Sequence, residues 1–384
     1  MEIYNIGFIG YGGFGRFLHN CWISKQNISV SAIADLNPPP VNDKNSSCYC
    51  DWQTLLKDQS IDIVVIATPP HTHAEIALAA IKHNKHIILE KPVAISSQEA
   101  QKLAAQHRQS DRIIVVDFML RFHPFIKLFK IWTKDRPFGR LRRITIENYA
   151  QDDGLPPEHW FWDKQQSGGI LIEHGVHFID LVNYITGAAV MDISGTKFNR
   201  TRQQEDQVLA NVCYDNGLIA THYHDFSRPG FFESTTMRFI FDLAEIEICG
   251  WIPLYGKITA LVNDQTAPVL DQLPGFATTG SRAIDTIEDV SRPAGWGNTD
   301  RILTSPNKSI TSGGTAYSVT RQITGSFSLA QTKQAVYCQL VNAVLDNVIA
   351  GIEDRETPPF ITLDEAILSL QIAETAQKQA DRNR

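Results

Sequence analysis

Residues 3–18 read Ile3-Tyr4-Asn5-Ile6-Gly7-Phe8-Ile9-Gly10-Tyr11-Gly12-Gly13-Phe14-Gly15-Arg16-Phe17-Leu18. An apolar run of strand character leads into a glycine-rich turn, and a helical pattern leads out of it. The turn fits G-x-G-x-x-G, and its place between the first strand and the first helix gives the motif its meaning. Gly10 permits the tight turn, Gly12 lets a pyrophosphate approach the backbone, and Gly15 brings helix and strand close. The helix start around Gly13 and Phe14 then offers unpaired N–H groups to phosphate. Twenty residues beyond Gly15, Asp35 closes a second apolar run. A carboxylate there accepts hydrogen bonds from ribose hydroxyls and repels a 2′-phosphate. Leu36 and Asn37 bring no cation to offset that repulsion, so NAD is expected over NADP.

Working outward, the first 120 residues alternate between short apolar runs and amphipathic segments. Strands are expected over 3–9, 28–34, 61–67, 86–89 and 113–117, and helices over 14–24, 52–57, 74–83 and 97–108. That alternation calls for a parallel, doubly wound α/β sheet over 1–120, with a long loop over 37–50 around Pro38-Pro39-Pro40. Beyond residue 120 the texture changes. A helix over 124–134 and a strand over 141–149 precede two strands, 208–214 and 218–224, that flank Asp215-Asn216-Gly217, a strong hairpin signal. Strands over 235–241 and 246–248 and closing helices over 333–350 and 362–380 complete a second, α+β domain over 121–384 with a mainly antiparallel sheet. Residues 264–328 are polar and give no assignment.

The 384-residue length suits two domains. With 35 Lys+Arg against 42 Asp+Glu the net charge is −7, which disfavours nucleic acid and anionic membranes as partners. A hydrophobic share of 43% supports a sizeable core. No apolar run approaches the roughly 20 residues that span a bilayer, and the N-terminus opens as a strand, without the pattern of an export signal. Six scattered cysteines suit a reducing, cytoplasmic location better than a disulfide framework. Cys48 and Cys50 read as free loop thiols in preference to half of a metal site.

Glu90-Lys91-Pro92 stands at the C-terminal end of the fourth strand, the edge where open α/β sheets bind ligands. The residue before a proline is pushed out of the helical region, which can aim Lys91 into the cleft. Further on, Gly168-Gly169-Ile170-Leu171-Ile172-Glu173-His174-Gly175-Val176-His177-Phe178-Ile179-Asp180 begins a helix. Glu173, His177 and Asp180 fall on one face at helical spacing. Histidine is the side chain best suited to exchange a proton near neutral pH, and Glu173 either orients it or binds a substrate hydroxyl. The order H-E-x-x-H is absent and His174 lies about 100° around the helix from Glu173, so no metal is expected. His222 and His224 share one face of a strand and either line the site or pair on the surface.

Taken together, these features resemble the Gfo/Idh/MocA family, the glucose-fructose oxidoreductase and inositol dehydrogenase group. The matching landmarks are the opening glycine turn, Thr68-Pro69-Pro70 with His73, Glu90-Lys91-Pro92, Arg121-Phe122, Trp162-Asp163 and the helix from Gly168 to Asp180, in order across residues 1–187. The resemblance implies a Rossmann first domain and a second domain whose open sheet forms a homodimer or homotetramer contact. It also implies hydride transfer between a nicotinamide and a carbinol or ketone of a sugar, cyclitol or related polyol. Lys91 would bond the reacting oxygen, His177 would be the acid/base and Glu173 their partner. Thr68, Pro69, His73 and Glu90 would join the glycines at the cofactor. Arg121, Tyr149, His159, Trp160 and Trp162 are candidates for the substrate, although Trp160-Phe161-Trp162 reads equally as core. The family commonly has Gly where Ile170 stands and Asp where Glu173 stands. Two rivals share the fold: an NAD-retaining glycosidase or epimerase, and a non-catalytic cofactor-sensing regulator.

Overall fold

The computed structural model describes residues 3–37, 46–202, 204–284, 309–354, 356 and 358–382. Six parallel strands, β1 (Tyr4–Ile9), β2 (Ile28–Ala34), β3 (Ser47–Tyr49), β4 (Ile63–Ile66), β5 (His86–Leu89) and β6 (Ile114–Val116), form one sheet in the order β3-β2-β1-β4-β5-β6. Helices α1 (Gly13–Trp22), α2 (Trp52–Lys57), α3 (His73–Lys82) and α4 (Ser97–His107) connect its strands. β4 and β5 are buried at every position, which is why their sequences run as unbroken apolar segments without alternation. The strand order reverses between β1 and β4, and the crevice at that switch point is where the glycine turn and Glu90-Lys91 meet. The expected loop over 37–50 contains β3, while Pro38-Pro39-Pro40 lies outside the described residues.

The chain then crosses through α5 (Pro124–Asp135), β7 (Leu141–Gln151), α6 (Lys164–Ser167) and α7 (Val176–Thr186) into an antiparallel run. Its strands are β8 (Val190–Asn199), β9 (Glu205–Tyr214), β10 (Ile219–Arg228), β11 (Ser234–Phe241), β12 (Ala244–Cys249), β13 (Tyr255–Val262) and β14 (Ala277–Ala283). A small hairpin, β15 (Ser309–Ser312) and β16 (Thr315–Ser318), precedes β17 (Arg321–Ser328), so the unassigned 264–328 stretch holds sheet at both ends of residues 285–308, which lie outside the described residues. The nine-stranded sheet runs β14-β17-β13-β12-β11-β7-β10-β9-β8, and only the β7–β10 pairing is parallel. Its strands alternate: Ile144, Ile146, Val208, Ala210, Met237 and Phe239 are buried on the face toward the helices, and their neighbours are more open.

Two long helices, α8 (Lys333–Glu353) and α9 (Leu363–Arg382), close the chain. α9 packs on α4, α7 and β8, and α8 returns to the first sheet against α1, β5 and β6. Contrary to the expectation that no segment is long and apolar enough to span a bilayer, α8 meets that test by length and composition; here Val336, Leu340, Val341, Val344 and Val348 are buried in the core. Cys21 of α1 and Cys338 of α8, 317 residues apart, are joined by a disulfide. This corrects the reading of the cysteines as unpaired: the fold brings two distant thiols to a Cα separation of 5.1 Å, which spacing along the chain does not reveal. Cys48, Cys50, Cys213 and Cys249 take no part in a disulfide among the described residues.

Candidate active site

A cavity of about 1070 Å³ runs along the switch-point edge of the first sheet and is roofed by the second domain. At one end Gly10 holds φ +87°, and a Cβ there would also lie 2.5 Å from the Ala67 carbonyl oxygen, so both the backbone conformation and the close approach call for glycine. A Cβ at Gly15 would lie 2.5 Å from the Gly10 oxygen, so this glycine is needed for close packing and does not line the cavity. Gly12 and Gly13 do line it, and nothing within 4 Å would meet a Cβ at either. Their missing side chains leave a backbone cradle at the start of α1, fitting a pyrophosphate. Asp35 lines the same end; its Oδ2 accepts from the Tyr11 N–H at 2.7 Å and its Oδ1 from the Asn37 N–H at 2.8 Å. Both oxygens keep further lone pairs for ribose hydroxyls. The residues present therefore fit a dinucleotide.

Phe14, Thr68, Pro69 and Glu90 line the cavity as expected of cofactor contacts, but His73 does not. It is buried, its Nδ1 lying 2.7 Å from the Pro92 oxygen and its Nε2 2.7 Å from the Thr68 oxygen. His73 thus ties the turn after β4 to the turn after β5, which carries Lys91. Burial pushes its ring below the usual histidine range.

Lys91, Glu173 and His177 come together across the cleft. The Lys91 ammonium donates to Glu173 Oε1 and to the Glu173 main-chain oxygen, each at 2.7 Å. Burial works to raise the Glu173 carboxyl, but Lys91 beside it prevails and holds it below its ordinary value. Glu173 is therefore Lys91's partner; the expected role of orienting His177 is replaced by anchoring the amine. His177 is 7% exposed, with the Trp251 ring at 4.7 Å. Burial, and then the Lys91 charge, push its imidazole well below the usual range. The ring is neutral at neutral pH.

One local departure from the expected helix changes the site's membership. Leu171–Gly175 forms a π-helical turn before α7. The wider turn lowers the rotation per residue, so His174 joins Glu173 and His177 on the cavity wall instead of turning away. Its Nε2 is buried with no partner, and burial pushes its pKa down to about 4. Asp180 leaves that wall: its two carboxylate oxygens accept from Arg121 Nε at 2.7 Å and Nη2 at 2.6 Å, in a pair 1% exposed on each side.

That pairing corrects Arg121, which holds α7 in place and does not reach the cavity. Three other substrate candidates fall away for comparable reasons. Tyr149 points to the opposite face of β7, against Tyr223 and under Arg228, because strand alternation turns Asn148 and Ala150 inward. His159 caps the Trp160–Trp162 turn by accepting from the Phe161 N–H at 3.2 Å. Trp162 is core, with its indole N–H donated to the Leu155 oxygen. Trp160 alone of the five lines the cavity. His222 and His224 are both fully buried beneath α7, neither lining the cavity nor lying on the surface.

Sequence reasoning passed over Asn148, Thr235, Trp251, Asp117 and Tyr337, all of which line the cavity. Two of these were within reach of it. Asn148 stands two residues after inward-facing Ile146, and Asp117 directly follows β6, beside Glu90 after β5.

Residues 4–118 match the model of an oxidoreductase family with an NAD-binding Rossmann fold, and residues 129–247 match the GFO/IDH/MocA C-terminal domain. Levoglucosan dehydrogenase of Pseudarthrobacter phenanthrenivorans is 30% identical over 207 residues, 49% of this chain and 52% of that protein. The scyllo-inositol 2-dehydrogenase (NAD(+)) of Bacillus subtilis is 30% identical over 173 residues, 44% of this chain and 49% of that one. The chain thus spans about half the length of the curated relatives it matches. Among solved structures, a levoglucosan dehydrogenase in complex with NADH and L-sorbose superposes with TM-score 0.74 at 18% identity, covering 100% of this chain and 98% of that one. The myo-inositol 2-dehydrogenase of Lactobacillus plantarum gives 0.71 at 16% identity over 100% and 98%. At such identities these two structures speak to the fold.

Proposed function

The chain belongs to the GFO/IDH/MocA oxidoreductase family, and on that premise we propose that it transfers a hydride between NAD and a carbinol or ketone of a sugar, cyclitol or related polyol. The observation that carries this reading is the Lys91–Glu173 pair facing His177 across the cavity that begins at the glycine cradle. The cofactor, when bound, supplies the hydride acceptor for oxidation or the donor for reduction. Two of the three Lys91 N–H groups are committed to Glu173, and the third is left to donate to the substrate oxygen, where it stabilises developing negative charge. His177, neutral through burial, takes the hydroxyl proton in oxidation and returns it in reduction. Asn148 and Thr235 offer hydrogen bonds to neighbouring hydroxyls, and the rings of Trp160 and Trp251 offer flat apolar walls to a sugar's C–H faces.

Asp35 supports NAD over NADP, since among the described residues no Lys or Arg lines the cavity beside it. Phe198, Ile219 and Tyr255, exposed on the uncovered face of the nine-stranded sheet, support a contact between copies of the chain there. The test is NADH formation from NAD with a panel of polyols and sugars. Turnover with net NADH production supports a dehydrogenase. Substrate conversion without net NADH favours the retained-cofactor rival, and cofactor binding with no conversion of any panel member favours a regulator.

A further inference from the structure

Beneath Lys91, two carboxyl groups share one small space. Glu90 follows β5 and Asp117 follows β6, and the register Leu89↔Val116 puts the two residues side by side at adjacent strand ends. Both line the cavity wall, Glu90 9% and Asp117 2% exposed, and the Asp117 N–H donates to the Leu89 oxygen at 2.8 Å, which fixes the two strand ends side by side. Two carboxyl groups at such neighbouring buried positions can bond to each other when one of them carries a proton. Glu90 Oε1 and Asp117 Oδ1 are left buried without a partner. The titratable and charged groups facing the pair are Lys91 from its own turn and Tyr337 from α8; Glu173, His174 and His177 on the 171–186 helical segment act on it through Lys91.

We propose that Asp117 is a positioning residue for Lys91: it shares one proton with Glu90, so that a single negative charge, not two, lies under the ammonium and leaves it turned toward Glu173 and the cavity. The inference rests on Lys91 acting on the substrate oxygen. Like charges in a buried space cannot both ionise cheaply, and burial and the mutual repulsion push Glu90 well above the usual carboxyl range. When the pair loses its last proton as the pH rises, the second charge competes with Glu173 for the amine.

The test begins on the cofactor-free protein. Infrared spectra recorded over a rising pH series are expected to show a protonated carboxyl absorption, persisting above the usual carboxyl range, that D117N lacks, because the introduced amide would donate to Glu90 and let it ionise. E90Q should lose the same band. In turnover, the wild-type kcat should fall on the alkaline side with the loss of that band, and D117N should not follow it, having no shared proton to lose. Infrared spectra unchanged by both substitutions would overturn the shared proton. Superimposable pH profiles of kcat would overturn the positioning role. Absence of turnover with any polyol leaves the infrared result standing and counts against the proposed reaction instead.

Discussion

Lys91 and Glu173 are joined twice, through the carboxylate and through the main-chain oxygen of the same residue, each contact 2.7 Å long. The two side chains are 13% exposed and come from different domains, so the pair spans the cleft it lines. An ammonium held this way keeps its direction when the carboxylate alone is altered, because the backbone contact is set by the π-helical turn over Leu171–Gly175.

Lys91→Ala should lower kcat by about a hundred- to a thousandfold, the usual loss on removing one preorganised donor at a developing oxyanion. His177→Ala should cost about a hundred- to ten-thousandfold, in the range of general acid–base catalysis. NADH affinity, read by fluorescence titration, should stay within a few-fold of wild type in both, and full activity in either variant would remove that residue from the mechanism.

Glu173→Asp restores the family's common residue one methylene short, and it should retain more kcat than Glu173→Ala. If both behave alike, the carboxylate does nothing for Lys91 that the main-chain oxygen does not already do. Steady-state kinetics at saturating NAD decide it.

Asp35→Ser should narrow the preference for NADH over NADPH by at least about tenfold, since it removes a charge that opposes the 2′-phosphate. Comparing the two dissociation constants in wild type and variant checks this, and a wild type that binds NADPH more tightly would refute the role given to Asp35.

Arg121 and Asp180 form a 1% exposed bidentate pair outside the cavity. Arg121→Ala should destabilise the fold by about 3–5 kcal/mol, because a buried carboxylate is left unpaired. Urea unfolding would register the loss, and NADH affinity of the folded fraction should change little.

His222 is fully buried with neither ring nitrogen bonded, and burial pushes its pKa down to about 3. An unfolded chain protonates this ring near about pH 6.5 while the native state refuses the proton, so its contribution to stability falls by roughly 1.4 kcal/mol for each pH unit below that value. His222→Leu should therefore raise the urea midpoint, and the gain should be larger at about pH 5 than at about pH 7. An equal gain at both would show that the ring titrates normally.

The elements closest to periodic pattern were readable in advance. The runs 28–34, 52–57 and 86–89 coincide with β2, α2 and β5 because β-branched residues in β2, a capping Asp51 before α2 and burial on both faces of β5 each leave a local mark. The hairpin at Asn216-Gly217 and the glycine turn were equally plain. What sequence could not give was side-chain direction wherever regular geometry breaks: a π turn moved His174 into the site, and a bidentate carboxylate drew Arg121 out of it. β8 escaped notice because its burial pattern is mostly exposed, leaving little apolar alternation to read.

Tyr337 sits in α8, more than three hundred residues after the glycine turn, yet its ring packs 4.4 Å from Phe17 and it lines the cavity beside Asp117. During synthesis the six-stranded sheet can emerge and pair long before this wall exists. A nascent chain would hold the glycine cradle and Asp35 before the Tyr337 wall is in place, and the cavity is completed only when roughly the final seventh of the polypeptide docks back on its beginning. Enclosure of the cavity therefore belongs to the last stage of folding, and a chain stalled or clipped ahead of α8 would carry the glycine cradle without its Tyr337 wall.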